Sequence, residues 1–377
     1  MAGRTPADAP SRVRVERSAR APRGWDMLVA TDGSSDYPHT AHWNESVAST
    51  MPDAGAVWLT VAEEGRLTAG LVAIERRLGR GFLARHRMDS SFEGTSCGPL
   101  VAADLPRETQ DVLVHELILA YARLRRGPLG AVTLALGPER ETRFAHLLAR
   151  DGRWHRHASP TAVIDLEGGP DEVAASRVSK PKRNERNRGL RAGAVVEVTD
   201  RADALDEYYP LYLAAAAQWG VVPTPLPFLK ALLGDPAGRV FFTCVRVDGR
   251  IVGGHLNLHL GDRVFAWNGV TNPAVARSHF PSTLCLWGDI VEACRRGARW
   301  LDVGASGGIT SLEGFKRYFG AESRARGYYV DEGGAVRAAR SARALLRGPR
   351  PGRVGRGRPG QRWHDGRDGE PRPEGDH

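Results

Sequence analysis

The sequence predicts an α/β protein built from two copies of one mixed-sheet unit. The first observation is a repeated hairpin: residues 57–71 are VWLTVAEEGRLTAGL, and residues 240–255 are VFFTCVRVDGRIVGGH. Each has an apolar strand, a turn that contains an acidic residue and glycine, and a second strand with small residues. An offset of 184 aligns Gly65 with Gly249. Hairpins with a glycine turn are common, so a second observation, the repeated order of elements after each hairpin, carries more weight.

In both copies the hairpin leads to a third strand, a loop with proline or glycine, a long helix, a strand, a shorter helix and a last strand. Apolar residues at steps of three and four predict the long helices. They are Val114, Leu117, Ile118, Tyr121 and Leu124 in the first copy, and Leu284, Trp287, Val291, Cys294 and Ala298 in the second. The expected ranges are 81–88, 94–99, 106–125, 132–136, 139–150 and 161–166, and then 264–268, 269–281, 282–296, 300–303, 311–318 and 325–330. A mixed sheet with helices on its faces is the economical packing for this order.

Basic charge lies mainly at the two ends of the chain. The net charge is +9, and residues 1–24 and 331–377 together carry eight of these charges. Both segments are rich in arginine, glycine and proline and have too little apolar surface to form a core, so we predict that they are disordered. A nucleic-acid-binding fold concentrates basic charge on its folded surface, which argues against DNA as a partner. Weak contact of the tails with RNA or an anionic membrane is the alternative that the charge leaves open.

Cysteine usage and hydropathy indicate a cytoplasmic protein. Cys97, Cys244, Cys285 and Cys294 have neither C-x-x-C spacing nor a zinc pattern, so we expect reduced, buried thiols and no metal. The N-terminus lacks the apolar stretch of a signal peptide. No segment has the roughly 20 consecutive apolar residues of a membrane span.

The order of elements resembles the GNAT acetyltransferase fold. In that fold a central pair of strands splays apart, and the acyl donor lies in the gap. The loop before the long helix offers backbone N–H groups to the phosphates of the donor, as helix N-termini generally do.

Two segments resemble the Fem-type peptidyltransferases, which are tandem GNAT proteins. Residues 180–198, KPKRNERNRGLRAGAVVEV, resemble the basic K-x-R-x-N-x-R stretch of that family, and residues 300–322, WLDVGASGGITSLEGFKRYFGAE, resemble its C-terminal signature. Some members use aminoacyl-tRNA to add amino acids to a peptidoglycan precursor, and others are N-acyltransferases. The long helical arm that some members carry has no heptad-patterned counterpart here.

The resemblance divides the chain into five parts. We predict a disordered tail at 1–24, a GNAT-like domain at 25–168, a basic helical linker at 169–193, a second, catalytic GNAT-like domain at 194–332, and a disordered tail at 333–377.

The resemblance makes Phe315 and Lys316 the leading catalytic candidates, because this pair lies at the acyl-transfer site of the family. An ammonium group stabilises the oxyanion that forms when an amine attacks an ester or thioester. His255 is a candidate base, since the ordinary pKa of histidine is near neutrality. Asp302 is a further candidate, either as base or to orient the nucleophile, although it could equally cap a turn. An exposed helix lysine is the alternative for Lys316.

Polar residues in three places are candidates for binding the substrate. His255 and the two polar residues that follow it alternate with leucines, so they share one face of a strand. Arginine forks in the basic run suit phosphate or carboxylate. The candidates are Asn257, His259, Asn268, Lys182, Arg183, Asn184 and Arg186. An ordinary half-exposed strand and a solvated linker helix are the alternatives.

Residues 276–283, ARSHFPST, occupy the place where donor phosphates would bind, and Ser278, Ser282 and Thr283 are the candidates there. The segment lacks the glycines of CoA-binding loops, which favours a bulkier or different donor over plain acetyl-CoA. Residues 76–81, RRLGRG, match the consensus of those loops. They join two strands, however, and do not precede a helix, so we predict a hairpin turn for them.

We therefore expect an N-acyltransferase that transfers an acetyl or aminoacyl group from acyl-CoA or aminoacyl-tRNA to an amine on a small molecule or peptide. One alternative is an aminoacyl-tRNA-dependent peptidyltransferase acting on a peptidoglycan precursor. Another is an inactive tandem module that binds a peptide or an envelope precursor. Charged tRNA is one candidate partner, and we expect no integral membrane contact.

Overall fold

The computed structural model describes residues 13–79, 85–90 and 92–338, which form two compact units with one sheet each. Within that part of the chain, the first unit holds the residues up to 92, residues 96–157 and the residues from 327 onward. The second unit holds residues 93–95 and 158–326.

The first unit starts with a short strand and two helices, continues with a strand meander, and then alternates helices with strands. Its elements are β1 (Glu16–Ser18), α1 (Trp25–Thr31), a 3₁₀ turn (Tyr37–His39), α2 (Ala41–Thr50), β2 (Ala54–Glu63), β3 (Arg66–Leu78), β4 (Arg85–Asp89), β5 (Leu100–Val101), α3 (Arg107–Ala122), β6 (Ala131–Leu136), α4 (Pro138–Arg150) and β7 (His155–Ala158). Among the described residues the strand order is β1-β2-β3-β4-β6-β15-β7, where β15 is Gly327–Glu332, and β5 pairs with β3. Strands β4 and β6 are parallel.

The core of the first unit lies between the meander, β6 and the helices α3 and α4. Val114, Leu117, Ile118 and Tyr121 of the predicted long helix are all buried in it. The Tyr121 hydroxyl donates a hydrogen bond to the backbone carbonyl of Thr133 at 2.9 Å, which satisfies the one polar atom of that side chain. Helical spacing thus located this helix and its inner face correctly.

The second unit repeats this plan. Its elements are β8 (Thr161–Asp165), α5 (Gly169–Glu172), a π-helical turn (Val173–Arg177), α6 (Lys180–Arg191), β9 (Val195–Thr199), α7 (Ala202–Trp219), α8 (Leu226–Leu233), β10 (Val240–Val247), β11 (Arg250–Leu260), β12 (Arg263–Thr271), a 3₁₀ turn (Pro273–Val275), α9 (Ala276–His279), α10 (Pro281–Arg295), β13 (Trp300–Asp302), α11 (Thr310–Arg317) and β14 (Glu322–Arg324). The strand order is β14-β8-β13-β12-β11-β10-β9 within the described residues.

Each unit has two helices directly before its meander that the predicted order lacks. They are α1 and α2 in the first unit and α7 and α8 in the second. Helix α1 has only seven residues, and α7 contains Pro210 and a run of four alanines. Such segments have weak apolar periodicity, so their helical state depends mainly on packing against the sheet.

The last strands of the two units are exchanged relative to the prediction. Residues 161–166 were expected to close the first copy, but β8 pairs with β13 and β14 of the second sheet. Residues 325–330 were expected to close the second copy, but β15 pairs with β6 of the first sheet. The predicted boundaries 25–168 and 194–332 are therefore wrong at their C-terminal ends. Local sequence can indicate a strand, but its partner is set by tertiary packing.

The predicted disorder of residues 1–24 is wrong from residue 13 onward. Strand β1 pairs with β2, with Glu16 opposite Thr60 and Ser18 opposite Trp58. Val13 and Val15 pack against the first core. Backbone pairing at a sheet edge needs little apolar composition, so the basic character of the segment was misleading. Residues 1–12 and 339–377 lie outside the described residues, and residues 334–338 are helical.

Two smaller expectations also differ from the structure. Residues 76–78 of the RRLGRG segment belong to β3 and not to the hairpin turn expected at 76–81, and residues 80 and 81 lie outside the described residues. Val291 of α10 is 39% exposed, so the predicted apolar stripe is rotated. The buried face of α10 instead includes the acidic residue Asp289.

Candidate functional site

The strands β12 and β13 part after a short parallel contact. Only Arg263, Val264 and Phe265 of β12 pair with β13, while β12 itself continues to Thr271. A bulge at Trp267 lies within the continuing half, since Leu256 pairs with Asn268 and Asn257 with Ala266. This is the splayed strand pair that the GNAT resemblance implied.

The corresponding edge in the first unit is filled by its own chain. The segment that follows β4 bonds along β6: Ser90 N–H donates to Thr133 O at 3.0 Å, and Cys97 N–H donates to Ala135 O at 3.0 Å. The buried Arg140 guanidinium binds both the Pro99 carbonyl and the Asp32 carboxylate, which fixes this segment. The two units therefore differ at the strand pair where a donor would lie.

Lys316 of α11 reaches the end of β13. The side chain is 2% exposed, and Nζ donates a hydrogen bond to the Gly304 carbonyl at 2.9 Å. Asp302, the last residue of β13, accepts hydrogen bonds from Gly304 N–H at 2.7 Å and from Thr161 Oγ1 at 2.5 Å. An ammonium and a carboxylate thus share the turn at Gly304.

Burial shifts both of these groups toward their neutral forms. Desolvation lowers the pKa of Lys316 to about 8, Asp302 opposes that shift and the positive charge of Arg326 adds to it. Desolvation raises the pKa of Asp302, against the hydrogen bond from Thr161 and the charge of Arg326. Such paired shifts are typical of sites that move protons near neutral pH.

Phe315 and Lys182 connect α6 to this region. Phe315 is buried in the second core, and Lys182 Nζ lies 4.8 Å from the centroid of its ring. Lys182 donates to Glu185 at 2.8 Å, and Glu185 accepts from Thr283 Oγ1 at 2.6 Å. The network ties α6 to α11 and to the first turn of α10, so the predicted Lys182, Phe315 and Thr283 do lie along one chain of contacts.

The other predicted residues of α6 divide between packing and solvent. Arg183 donates to the carbonyls of Ala174, Ala175 and Val178, and it thereby caps the preceding helical turn. Arg186 stacks on Trp287 at 4.5 Å. The exposed polar side of the helix consists of Lys180, Asn184, Asn187, Arg188 and Arg191.

His255 and Asn257 lie beneath α10. His255 Nδ1 is 2.5 Å from Asp289 Oδ2, and Asn257 Nδ2 donates to Asp289 Oδ1 at 2.8 Å. All three side chains are fully buried. The His255 ring is thus enclosed in the core, with Nδ1 held by Asp289, and its expected role as a base stays a prediction. Asp289 itself was missed, although an acid within an otherwise apolar helix face was a usable signal.

His259 and Asn268 lie apart from Lys316 and from each other. His259 Nε2 is 2.9 Å from the Gly261 carbonyl at the end of β11, and burial lowers the pKa of the ring. Asn268 is on the half of β12 that pairs with β11 but not with β13, and it accepts a hydrogen bond from the Tyr208 hydroxyl at 3.2 Å.

The start of α10 lies beside the end of β12. Ser282 Oγ is 2.8 Å from Thr271 Oγ1, and Ser278 Oγ is 2.8 Å from His279 Nδ1. Phe280, immediately before the helix, has a φ of 50° and provides no side-chain cap. A non-glycine residue in the left-handed region costs energy and often marks a functional turn. The first N–H groups of this helix are thus available to an anion.

Thr161, Glu185 and Arg326 also contribute to the site and were missed. Glu185 lies among the lysines and arginines of residues 180–191, so its single negative charge did not mark it as a site residue in the sequence. Thr161 and Arg326 flank the exchanged strands, so only the tertiary pairing brings them to β13.

Within residues 13–79, 85–90 and 92–338, no helix combines the length and apolarity needed to cross a membrane.

The comparison with protein families identifies a known domain in the second unit. Residues 176–317 match the family model described as Acetyltransferase (GNAT) domain. No curated protein matches the chain by sequence.

Solved structures share the tandem fold at low identity. FemX superimposes with a TM-score of 0.66 and 12% identity, covering 86% of this chain and 99% of its own. A tandem GNAT protein from the clavulanic acid biosynthesis pathway gives a TM-score of 0.52 at 16% identity, covering 85% and 99%. The C-terminal domain of a putative lysylphosphatidylglycerol synthetase from Agrobacterium fabrum gives 0.53 at 15% identity, covering 88% and 98%. Residues 176–317 therefore carry a GNAT acetyltransferase domain, and the fold of the chain is similar to those of FemX and a tandem GNAT protein.

Proposed function

We propose that the second unit transfers an acyl group to an amine at the end of β13, with Lys316 and Asp302 as the catalytic pair. The observation that carries this proposal is the buried ammonium of Lys316 beside Asp302, at the strand pair that opens. The first unit supports it by contrast, because its corresponding edge is filled by the segment after β4.

The reaction needs a positive charge at one atom and a proton acceptor at another. The amine nitrogen attacks the carbonyl carbon of an ester or thioester, and a C–N bond forms while the carbonyl oxygen becomes an oxyanion. The Lys316 ammonium stabilises that oxyanion in a site from which water is largely excluded. Asp302 takes the proton that the amine loses. The C–O or C–S bond then breaks, and the leaving oxygen or sulfur takes up that proton from Asp302, which becomes a carboxylate again.

The donor binds through its phosphate groups at the start of α10. The uncapped N–H groups there, with Ser278 and Ser282 nearby, suit an anion, while the Thr283 hydroxyl is held by Glu185. Arg188 lies over Phe280 at 4.9 Å and Arg277 is exposed in the preceding turn, so two cations lie close to that site. Both acyl-CoA and aminoacyl-tRNA carry phosphates. For aminoacyl-tRNA, the larger donor, the exposed lysine and arginine side chains of α6 provide further contacts to the phosphate backbone of the nucleic acid.

Donor identity is tested with the purified full chain and radiolabelled acetyl-CoA or aminoacyl-tRNA, scored by label transfer to a panel of amines. A CoA enzyme transfers from the first donor, and its KM depends less steeply on salt because CoA has fewer phosphates than tRNA. A tRNA enzyme transfers from the second, and its KM rises steeply with salt because binding neutralises several phosphates. If neither donor supports transfer to any amine, the proposal fails.

The role of Lys316 is tested by Lys316→Ala, with Lys230→Ala as the matched control. Lys230 is a partly exposed helix lysine paired with Asp206, so its loss leaves the site intact. We expect Lys316→Ala to lower kcat by about 10²–10³, the usual effect of removing one oxyanion donor, and Lys230→Ala to keep kcat. Equal activity in the two variants would contradict the mechanism. A wild-type protein that shows no turnover, and whose ligand affinity Lys316→Ala leaves unchanged, would instead be an inactive binding module.

The acceptor is an amine on a small molecule or a peptide, and an envelope precursor is one member of that class. A donor linked to CoA or tRNA, together with four cysteines that are free thiols, fits a cytoplasmic reaction.

A further inference from the structure

Two arginines in the first unit share one buried carboxylate. Asp89 is 1% exposed and accepts hydrogen bonds from Arg76 Nε at 3.2 Å, from Arg76 Nη2 at 2.6 Å and from Arg87 Nε at 2.5 Å. Thr133 Oγ1 donates to the same carboxylate at 2.6 Å. The two positive charges therefore exceed their shared counter-charge by one.

The excess charge has no other acidic partner nearby. Asp89 is the only carboxylate within ion-pair distance of either guanidinium in the part of the chain that the structure describes. Arg87 Nη2 donates to the Tyr328 hydroxyl at 2.7 Å, and Arg76 lies over the Phe92 ring at 5.4 Å. These bonds use the Nε and Nη2 atoms of each arginine and leave the Nη1 atoms for a ligand. The Arg76 side chain is 23% exposed and the Arg87 side chain is 24% exposed.

The register of the sheet places the two guanidinium groups next to each other. Arg76 of β3 is directly opposite Arg87 of β4. Met88, between Arg87 and Asp89, points into the core under α3 and α4, so both arginines are on the other face of the sheet. Like charges directly opposite each other destabilise a strand pair. This cost is offset when an anion is held between them.

We propose that Arg76, Arg87 and the Tyr328 hydroxyl bind an oxyanion, either a carboxylate or a phosphate group, on this face of the first sheet. Arginine forks match the planar geometry of both groups. Asp89 holds the two forks in fixed orientations, so little conformational entropy is lost on binding. Phe92 provides an apolar wall beside the charge. The site is independent of acyl transfer, because none of its residues belongs to the second unit.

Binding is tested with the full chain by titrating succinate and inorganic pyrophosphate, with sodium chloride matched for ionic strength. Isothermal calorimetry gives the affinity, and the melting temperature rises with ligand concentration if the native state binds. Succinate and pyrophosphate distinguish a carboxylate site from a phosphate site. We expect Arg76→Gln to weaken binding of the preferred anion about tenfold or more, as for a lost hydrogen bond to a charged group.

Arg77→Gln is the matched control, because Arg77 is the neighbouring exposed residue on the same strand and points to the opposite face. It should bind the anion as the wild type does. Tyr328→Phe removes only a hydroxyl and should weaken binding by a smaller factor, so it tests the site even if Arg76→Gln folds poorly. Binding of neither anion by the wild type, or equal binding by Arg76→Gln, Tyr328→Phe and Arg77→Gln, would overturn the proposal.

Discussion

At the scale of single residues, Lys316 is a buried lysine whose Nζ donates to the Gly304 carbonyl just after β13. The Phe-Lys pair could be identified from its resemblance to the Fem family, and the rarity of lysine in this chain drew attention to it. The shift of its pKa depends on burial and on Asp302 and Arg326, which come from other elements. His255 shows the opposite case: the residue type suggested a base, and the fold buried it against Asp289.

The pKa of Lys316 predicts how the rate depends on pH. The active form has an ionised Asp302 and a charged Lys316, so kcat should fall at acidic pH as Asp302 takes up a proton and fall about tenfold per pH unit above about pH 8. The sign follows from the charge: raising the pH through the pKa removes the proton that stabilises the oxyanion. Lys316→Arg stays charged throughout this range, so any activity it retains should lack the alkaline limb. A limb near pH 8 that persists in Lys316→Arg would assign the titration to another group.

At the scale of elements, helix α10 lies very close to the second sheet. A Cβ atom added at Gly288 would come within 2.7 Å of both Thr243 Cγ2 and Val196 Cγ1. The same approach buries Asp289, whose carboxylate is held by His255 and Asn257. The sequence predicted the helix but not its rotation, since an apolar stripe gives the inner face only approximately when small and polar residues share it.

Gly288→Ala should destabilise the protein by about 1–3 kcal/mol, because the added methyl group overpacks the contact between α10 and the sheet. Gly314→Ala is the matched control: it is also a helical glycine, and a Cβ there meets nothing within 4 Å. That variant should gain roughly 0.5–1 kcal/mol from helix propensity. Chemical denaturation of both variants measures the difference, and a neutral Gly288→Ala would show that the close approach is not rigid.

At the scale of the whole chain, each sheet is completed by a strand from a distant part of the sequence. Strand β15 forms six register pairs with β6 of the first sheet, and Tyr329 belongs to the first core. Strand β8 joins β13 to β14 in the second sheet. The folding of the first unit therefore depends on the C-terminal end of the described chain.

A chain that stops after Arg326 should lose cooperative unfolding of the first unit, since β6 loses its partner and the core loses Tyr329. A chain that stops after residue 338 keeps every described element and should melt as the full protein does. This second truncation also tests the predicted disorder of the C-terminal tail. Differential scanning calorimetry and hydrogen exchange distinguish the outcomes, and a native-like first unit in the shorter chain would contradict the role assigned to β15.

The sequence alone determined the duplicated plan and the GNAT character of the fold, and it singled out residues 300–322 as a candidate site. These are encoded in short-range periodicity and in motifs that survive in one continuous segment. Tertiary structure decided the exchange of β8 and β15, the filled edge of the first unit, and the meeting of Lys316 with Asp302 and Thr161. The physical reason is that strand pairing and burial depend on contacts between residues far apart in sequence, and the local pattern of apolar residues is compatible with more than one such pairing.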